Sequence, residues 1–355
     1  MTLQSNNKEL HFIIGIGRSG TTILSKLLNS YQDVHSMPEA IFLIFFLKKF
    51  GKKRIFSQND INDIFTQIDL YSHSHPWVGW KFHPLEVKNN ILNIIKQNNQ
   101  ITYKQIISII YQNFKVEGFE KSKAKIYIDK NPSSTLYLNQ LSDFSPKSKF
   151  IWIIRDYRAT ILSSKQSVYI RPSNVAYNAS RWKLFNNLAY NFYKKNKDKV
   201  LIVKYEDLVS NENEIERILL FLSIEPIKDS IITASEVELG NFNLKDQHKE
   251  RFMKKYTDLN KTLNSDRLSS WKDQLTKDEI EISDAICGSS FPFLGYKTQS
   301  DITFIKKLII FMSNLYPILC GYFDIFKDKL LYYFPIKLKI DRLRKRYIKL
   351  GFIDK

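Results

Sequence analysis

The stretch His11–Asn29, HFIIGIGRSGTTILSKLLN, constrains this chain most. His11-Phe12-Ile13-Ile14 reads as a short buried strand, and Gly15-Ile16-Gly17-Arg18-Ser19-Gly20-Thr21-Thr22 as a glycine-bearing turn. Ile23, Leu24, Leu27 and Leu28 then recur at helical spacing, which predicts a helix from near Thr21. Strand, loop and helix together offer backbone N–H groups and a positive helix end to a phosphate. The spacing nearly fits the nucleotide-binding loop G-x-x-x-x-G-K-[ST]: Gly15, Gly20 and Thr22 match, and Thr21 stands where the lysine belongs. That lysine normally reaches the outer phosphates of a nucleoside triphosphate. Its replacement argues against phosphoryl transfer but not against holding a 5′-phosphate, and Arg18 supplies a cation inside the loop.

The alternation continues downstream. Val34–Ala40 reads as a second strand with Glu39 at its far end, the ligand side of an open α/β sheet. There Glu39 is either a general base toward a hydroxyl or a solvated loop carboxylate. Residues 41–125 read as helices and loops, including an apolar run from Ile41 to Phe50, an amphipathic helix over 57–70 and two helices over 85–118. The aromatic segment Trp77–Pro84 suits either an acceptor pocket or a core edge.

Ile126-Tyr127-Ile128-Asp129-Lys130 is a strand ending in a polar knot. Asp129 resembles the magnesium-positioning carboxylate of nucleotide hydrolases and keeps a kinase-like alternative open. Lys130 suits charge growing on a transferred group or bridging oxygen. Lys149–Ile154 is a continuous apolar strand, as in a buried parallel sheet, and runs into Arg155. Arg155 and the serines Ser163-Ser164 about two helical turns on can converge on a second phosphate; read alone, Arg155-Asp156 would be a surface pair at a helix start, and the glycine loop upstream makes it a second anion site. Arg181-Trp182 fits either purine packing or a core. Val200–Leu208 is another buried strand, leading to a polar turn and a helix over 211–223. Repeated strand–helix order predicts a doubly wound parallel α/β sheet. Residues 236–268 read as a mobile basic loop over the ligand, and Leu268 to about Cys287 as one helix.

The 355 residues suffice for a large core, and the net charge of +18 favours polyanionic ligands or anionic lipid. No nucleic-acid motif is apparent. The two cysteines, Cys287 and Cys320, make no disulfide framework or zinc cluster, so the expectation is a metal-free protein of reducing cytoplasm without a signal peptide. Two units are expected: residues 1–300 as the α/β domain and 301–355 as a helical basic extension of net charge +7. Within the extension Leu308–Phe326 is apolar but broken by Pro317, Gly321 and Asp324, which disfavours a membrane span. Ile336, Ile340, Leu343, Tyr347 and Leu350 form a basic amphipathic helix. It would lie on an anionic membrane, peripheral on the inner face, or pack on its own domain.

GIGRSGTT after a strand, then PEA, DKNP, IIRDYRATILSS and VKYEDLV, resembles the PAPS-dependent sulfotransferases, nearest the broad bacterial branch related to tyrosylprotein sulfotransferases. The resemblance spans about residues 11–297. It implies a P-loop-like, three-layer α/β domain and 3′-phosphoadenosine 5′-phosphosulfate (PAPS) as donor. By resemblance, Arg18, Ser19, Gly20, Thr21 and Thr22 hold the 5′-phosphosulfate, with Arg18 also assisting catalysis. Arg155 and Ser163 hold the 3′-phosphate, Glu39 is the acceptor-activating base, and Lys130 assists the departing oxygen. Tyr205 and Trp271 fall where further donor contacts lie. One departure stands out: Ser270 replaces the lysine that often precedes the tryptophan, leaving Lys261 or Arg267 to supply its charge. The implied acceptor is a hydroxyl, expected on a carbohydrate or glycolipid, with a tyrosine peptide as the alternative.

Overall fold

A computed structural model describes residues 8–37, 39–40, 42–74, 83–98, 100–114, 124–167, 173–211, 213–226 and 266–353. Most of the aromatic segment Trp77–Pro84 and of the basic segment 236–268, Lys261 included, lies outside the described residues.

Five strands form one sheet: β1 (Glu9–Ile14), β2 (Val34–Met37), β3 (Ile126–Lys130), β4 (Phe150–Ile154) and β5 (Val200–Lys204). Their order is β2-β3-β1-β4-β5, and every neighbouring pair is parallel. Strand alternation sorts the side chains into two cores. Phe12, Ile14, Phe150, Trp152 and Ile154 face α2 (Phe42–Phe50), α3 (Gln58–Ser74), α5 (Tyr103–Gln112) and α8 (Val175–Lys195). Ile13, Ile128, Ile151, Ile153 and Val203 face α1 (Thr21–Asn29) and α10 (Asn213–Phe221). The result is the expected three-layer, P-loop-like α/β domain. Every residue of β4 is fully buried, and each such side chain contributes about 1.5–3 kcal/mol of hydrophobic stabilisation. That is why a strand covered on both faces carries no polar break.

The chain winds outward from β1 to β2, returns through β3, and crosses to β4 and β5 on the other flank. Ligands bind outside the carboxyl ends where such winding reverses, here at the loop after β1.

Two local expectations are corrected. The strand expected to run to Leu208 ends at Lys204, because Tyr205 begins α9 (Tyr205–Ser210) directly after β5. The single helix from Leu268 to Cys287 is three pieces: α11 (Asp266–Ser269), α12 (Trp271–Gln274) and α13 (Lys277–Cys287). Leu275 is extended (φ −91°, ψ 140°). Thr276 then restarts the helix through a reciprocal cap: its hydroxyl accepts from the Glu279 N–H and the Glu279 carboxylate from the Thr276 N–H.

The C-terminal region comprises α14 (Phe304–Ser313), α15 (Leu315–Leu330) and α16 (Ile336–Lys349). The inner face of α15 lies on α8. A Cβ at Gly321 would come within 2.1 Å of the Ser180 hydroxyl, and Tyr177 donates to Asp324 at 2.7 Å. The basic helix α16 buries Ile336 and Ile340 against its own chain. Lys339, 1% exposed, donates to the carbonyls of Phe45 (2.9 Å) and Tyr332 (3.1 Å).

A pH-dependent stability follows from His11 in the centre of β1. It is fully buried, and its Nδ1 accepts from the Lys149 N–H at 3.0 Å. Burial first, then the Lys149 and Lys104 charges, lowers its pKa to about 4. The unfolded chain, with a histidine pKa of about 6.5, binds the extra proton. Stability from this group is therefore present above pH 6.5 and is lost as the pH falls toward 4. Between pH 7 and pH 5 the wild type is expected to lose about 2 kcal/mol more than His11→Gln, read by urea unfolding at both pH values.

Candidate active site

Sheet register assembles the site. Met37 pairs with Asp129, and Ile13 with Lys130, so Glu39, Lys130 and the loop after Ile14 leave one carboxyl edge together. Ile154 pairs with Lys204, so Arg155 and Tyr205 emerge side by side on the other flank. The second strand is braced from α1. Asn29 donates to the Ser36 carbonyl (2.8 Å) and accepts from the Ser36 N–H (2.7 Å), which fixes the strand end that leads to Glu39.

The loop has the conformation its glycines allow. Gly15 (φ +136°) sits where a Cβ would meet the Ile153 carbonyl at 2.3 Å. Gly20 (φ +99°) caps α1, and a Cβ there would strike the Tyr205 ring at 2.4 Å. Arg18 holds φ +75° despite its side chain, a conformation costing roughly 1–2 kcal/mol that concentrates at functional sites. Gly15 donates to the Thr135 hydroxyl at 2.9 Å, tying the loop to the turn that follows β3. Ser19 is fully buried, and its hydroxyl has no hydrogen-bond partner among the described residues. A buried hydroxyl of this kind is costly unless a ligand pairs with it.

Three guanidinium groups converge beside the loop. Arg18 Nε donates to the Ser163 hydroxyl, 3.0 Å away in α7 (Tyr157–Lys165). Arg155 donates to the Arg267 carbonyl and lies over the Tyr205 ring, 4.4 Å from its centroid. Its Nε is buried and unpartnered among the described residues. Burial, followed by the charges of Arg155 and Arg267, pulls the Arg18 pKa down to about 10. Burial also lowers that of Arg155, with Arg267 adding to the effect. Crowded, desolvated cations are the electrostatic complement of a polyanion. The residues of the two candidate anion sites read from the sequence adjoin, with Arg18 reaching from the loop to Ser163. Of the two candidates for the missing lysine's charge, Arg267 lies in this cluster.

Opposite the cluster, Lys130 (1% exposed) donates to Glu39 Oε1 at 3.1 Å, an ion pair with its carboxylate open to solvent. Asp129 points to the other face of β3. There it accepts from the Tyr111 hydroxyl on α5, and burial pushes its pKa up to about 7. It therefore does not face the loop as a magnesium-positioning carboxylate would. Asn131 caps the short 3₁₀ helix Pro132–Tyr137 by accepting from the Ser133 N–H at 3.0 Å. Each polar residue of the knot thus has a distinct partner.

Trp271 and Trp182 are both buried. Trp271 (3% exposed) carries the Arg158 guanidinium over its ring at 3.9 Å and packs with Ala159 and Leu162 of α7. Trp182 is fully buried and donates to the Arg155 carbonyl at 3.1 Å, so it fixes Arg155 from behind. Arg158 carried no signal beyond its place in RDYR. It pairs with Asp156 (2.8 Å) and lies 3.7 Å from Asp284, tying α7 to α13. Thr135 was equally silent in the sequence, five residues beyond Lys130 with no motif of its own. Among the described residues no cluster of three or more His, Cys, Asp or Glu could hold a metal ion.

A glycine loop without the lysine of nucleotide-binding loops, an arginine cluster and a Lys–Glu pair thus share one sheet edge. The sequence pattern of the sulfotransferase family matches residues 11–229, well over half of the chain, and the chain belongs to that family. The family implies sulfuryl transfer to an acceptor hydroxyl from a PAPS-type co-substrate. A curated relative from Caenorhabditis briggsae, "Putative protein-tyrosine sulfotransferase", is 25% identical over 307 residues, covering 83% of this chain and 92% of the relative. Among solved structures, the sulfotransferase domain of the Synechococcus PCC 7002 olefin synthase is 20% identical, with a TM-score of 0.48, over 82% of this chain and 96% of that one. The sulfotransferase domain of the curacin biosynthetic pathway is 17% identical, also with a TM-score of 0.48, over 82% and 99%.

Proposed function

We propose that this chain moves the sulfuryl group of PAPS directly onto an acceptor hydroxyl, with Glu39 as general base. One observation carries the reading: the buried, unpartnered Ser19 hydroxyl and the Arg18–Arg155–Arg267 cluster adjoin a Lys130–Glu39 pair on the same edge. The loop N–H groups with Ser19, Thr21 and Thr22 hold the 5′-phosphosulfate. Arg155 and Ser163 hold the 3′-phosphate, Arg18 serves both, and Arg267 supplies the charge of the missing lysine. Tyr205 supports the loop and Arg155 together, and Trp271 acts through α7 by keeping Ser163 in place.

In the transfer, the acceptor oxygen forms a bond to sulfur while the bond from sulfur to the bridging oxygen of the 5′-phosphate breaks. Glu39 takes the hydroxyl proton. Lys130 and the loop donors meet the charge left on the departing 3′-phosphoadenosine 5′-phosphate (PAP). Fixing both phosphates sets the line of attack.

The acceptor is read as a glycan or glycolipid hydroxyl. The Caenorhabditis briggsae relative favours a second reading, tyrosine in a protein, by the same chemistry. Calorimetric titration with PAP, beside ATP with magnesium, tests the donor. Metal-independent binding of PAP is expected, and preference for magnesium–ATP would replace sulfuryl transfer with phosphoryl chemistry. Sulfate transfer from PAPS to glycolipids, polysaccharides and tyrosine peptides then ranks the acceptors.

A further inference from the structure

The apolar surface of this protein is concentrated in one place. Of nineteen exposed large apolar side chains among the described residues, all but four fall between Phe304 and Leu338. A contiguous patch of this kind marks a partner or a membrane.

Its construction is inverted relative to an ordinary amphipathic helix. In α14 no residue is buried, and Phe304 is 81% exposed. Phe304, Ile305, Leu308, Ile309 and Met312 share one outward face by helical spacing. Lys306, itself 48% exposed, ties the helix back to Glu281 of α13 at 2.8 Å. The following helix repeats the arrangement. Ile318, Gly321 and Ile325 lie on the domain, while Tyr316, Leu319, Phe323, Phe326 and Leu330 line the outside at 3-4-3-4 spacing. The stripe runs on through Tyr333, Phe334 and Leu338, interleaved with exposed Lys329 and Lys337. Beyond it Arg344, Lys345 and Lys349 are exposed on α16.

We propose that α14 and α15 lie in the headgroup–acyl boundary of an anionic bilayer, with the flanking lysines and arginines on its charged surface. Charge complementarity selects this occupant. An apolar stripe edged by cations fits anionic lipid, to which each basic residue near the surface adds attraction. Length and attachment favour lying in the surface over spanning. No single described helix is long and apolar enough to cross a membrane, and the two helices reach that length only across a 66° bend. They measure about 15 Å and about 24 Å against a hydrocarbon core of about 30 Å, and the inner face of α15 is held by Tyr177 and the Gly321 contact. Two arms meeting at an angle define a plane rather than a rod. The lipid face is therefore chiefly α14–α15, whereas Ile336 and Ile340 of basic helix α16 are buried against the rest of the chain.

Co-sedimentation of the full chain tests this with vesicles of phosphatidylcholine, alone and mixed with phosphatidylglycerol. Wild type should pellet with the mixed vesicles, less so at high salt, and Leu319→Glu with Phe323→Glu should weaken binding by at least about tenfold. Lys329→Glu with Lys337→Glu should weaken it at low salt chiefly. PAP titration of each variant reports folding and the donor site separately, so failure of the lipid contact is distinguishable from failure of the sulfotransferase assignment. Wild type left in the supernatant, or a Leu319→Glu/Phe323→Glu variant that binds like its parent, would overturn the proposal. A wild-type dimer indifferent to vesicles and dissociated by that same pair would also overturn it, making the face an interface between copies.

Discussion

Glu39→Gln is expected to turn over about 10²–10⁴-fold more slowly, the range for loss of a positioned general base, while PAP binds as tightly as before. The amide oxygen of glutamine still accepts from Lys130, so the substitution removes the base and keeps the pairing geometry. Glu39→Ala differs in kind. It leaves the Lys130 ammonium, 1% exposed, without its carboxylate. Removing one partner of a buried pair costs about 3–5 kcal/mol, less here because the Glu39 side chain is 36% exposed. Single-turnover transfer of labelled sulfate with saturating acceptor, compared with PAP calorimetry on the same samples, separates the two effects. Full activity in Glu39→Gln would remove Glu39 from the chemistry.

Arg155→Ala should lose about 10²-fold or more in PAP affinity, since one hydrogen bond to a charged group contributes about 1.5–3 kcal/mol and a guanidinium can make two. Stability of the ligand-free chain should not fall in proportion. Arg18, Arg155 and Arg267 repel one another in a desolvated cluster, so deleting one charge relieves the others. In the wild type, saturating PAP should raise the melting temperature, because a ligand at a hundred times its Kd stabilises by about 2.7 kcal/mol. Calorimetry and thermal melts with and without PAP read both effects. A variant that binds PAP unchanged would place the 3′-phosphate elsewhere.

The sheet was legible in the sequence because strands buried on both faces are dominated by apolar residues, without a break in β4 and with only His11 buried among them in β1. The loop was legible because its glycines occupy conformations that side chains resist. Pair geometry was not. The opposite facing of Asp129 and Lys130 follows from strand alternation, but only register shows that Lys130 shares an edge with Glu39. Convergence of Arg267 on Arg155 joins residues more than a hundred positions apart, beyond any local pattern. The break before α13 was written in Thr276 and Glu279, a capping signature that the apolar spacing around it masked. For the C-terminal region, periodicity gave the amphipathic character of α16 but not which surface its apolar face would meet. Meanwhile the run in α14–α15, which sequence treats as a broken span, turns its apolar side outward.

The contact between Gly20 and Tyr205 binds two sequence positions into one evolutionary unit. The ring fills the space that a side chain at 20 would need, and the same ring lies beneath the Arg155 guanidinium. A larger residue at 20 therefore requires a smaller one at 205, and the smaller one removes the support under Arg155. Both contacts persist only with glycine at 20 and an aromatic ring at 205, which Tyr205→Phe would keep. Substitutions at 20 and 205 are therefore expected to be non-additive in their effect on donor affinity.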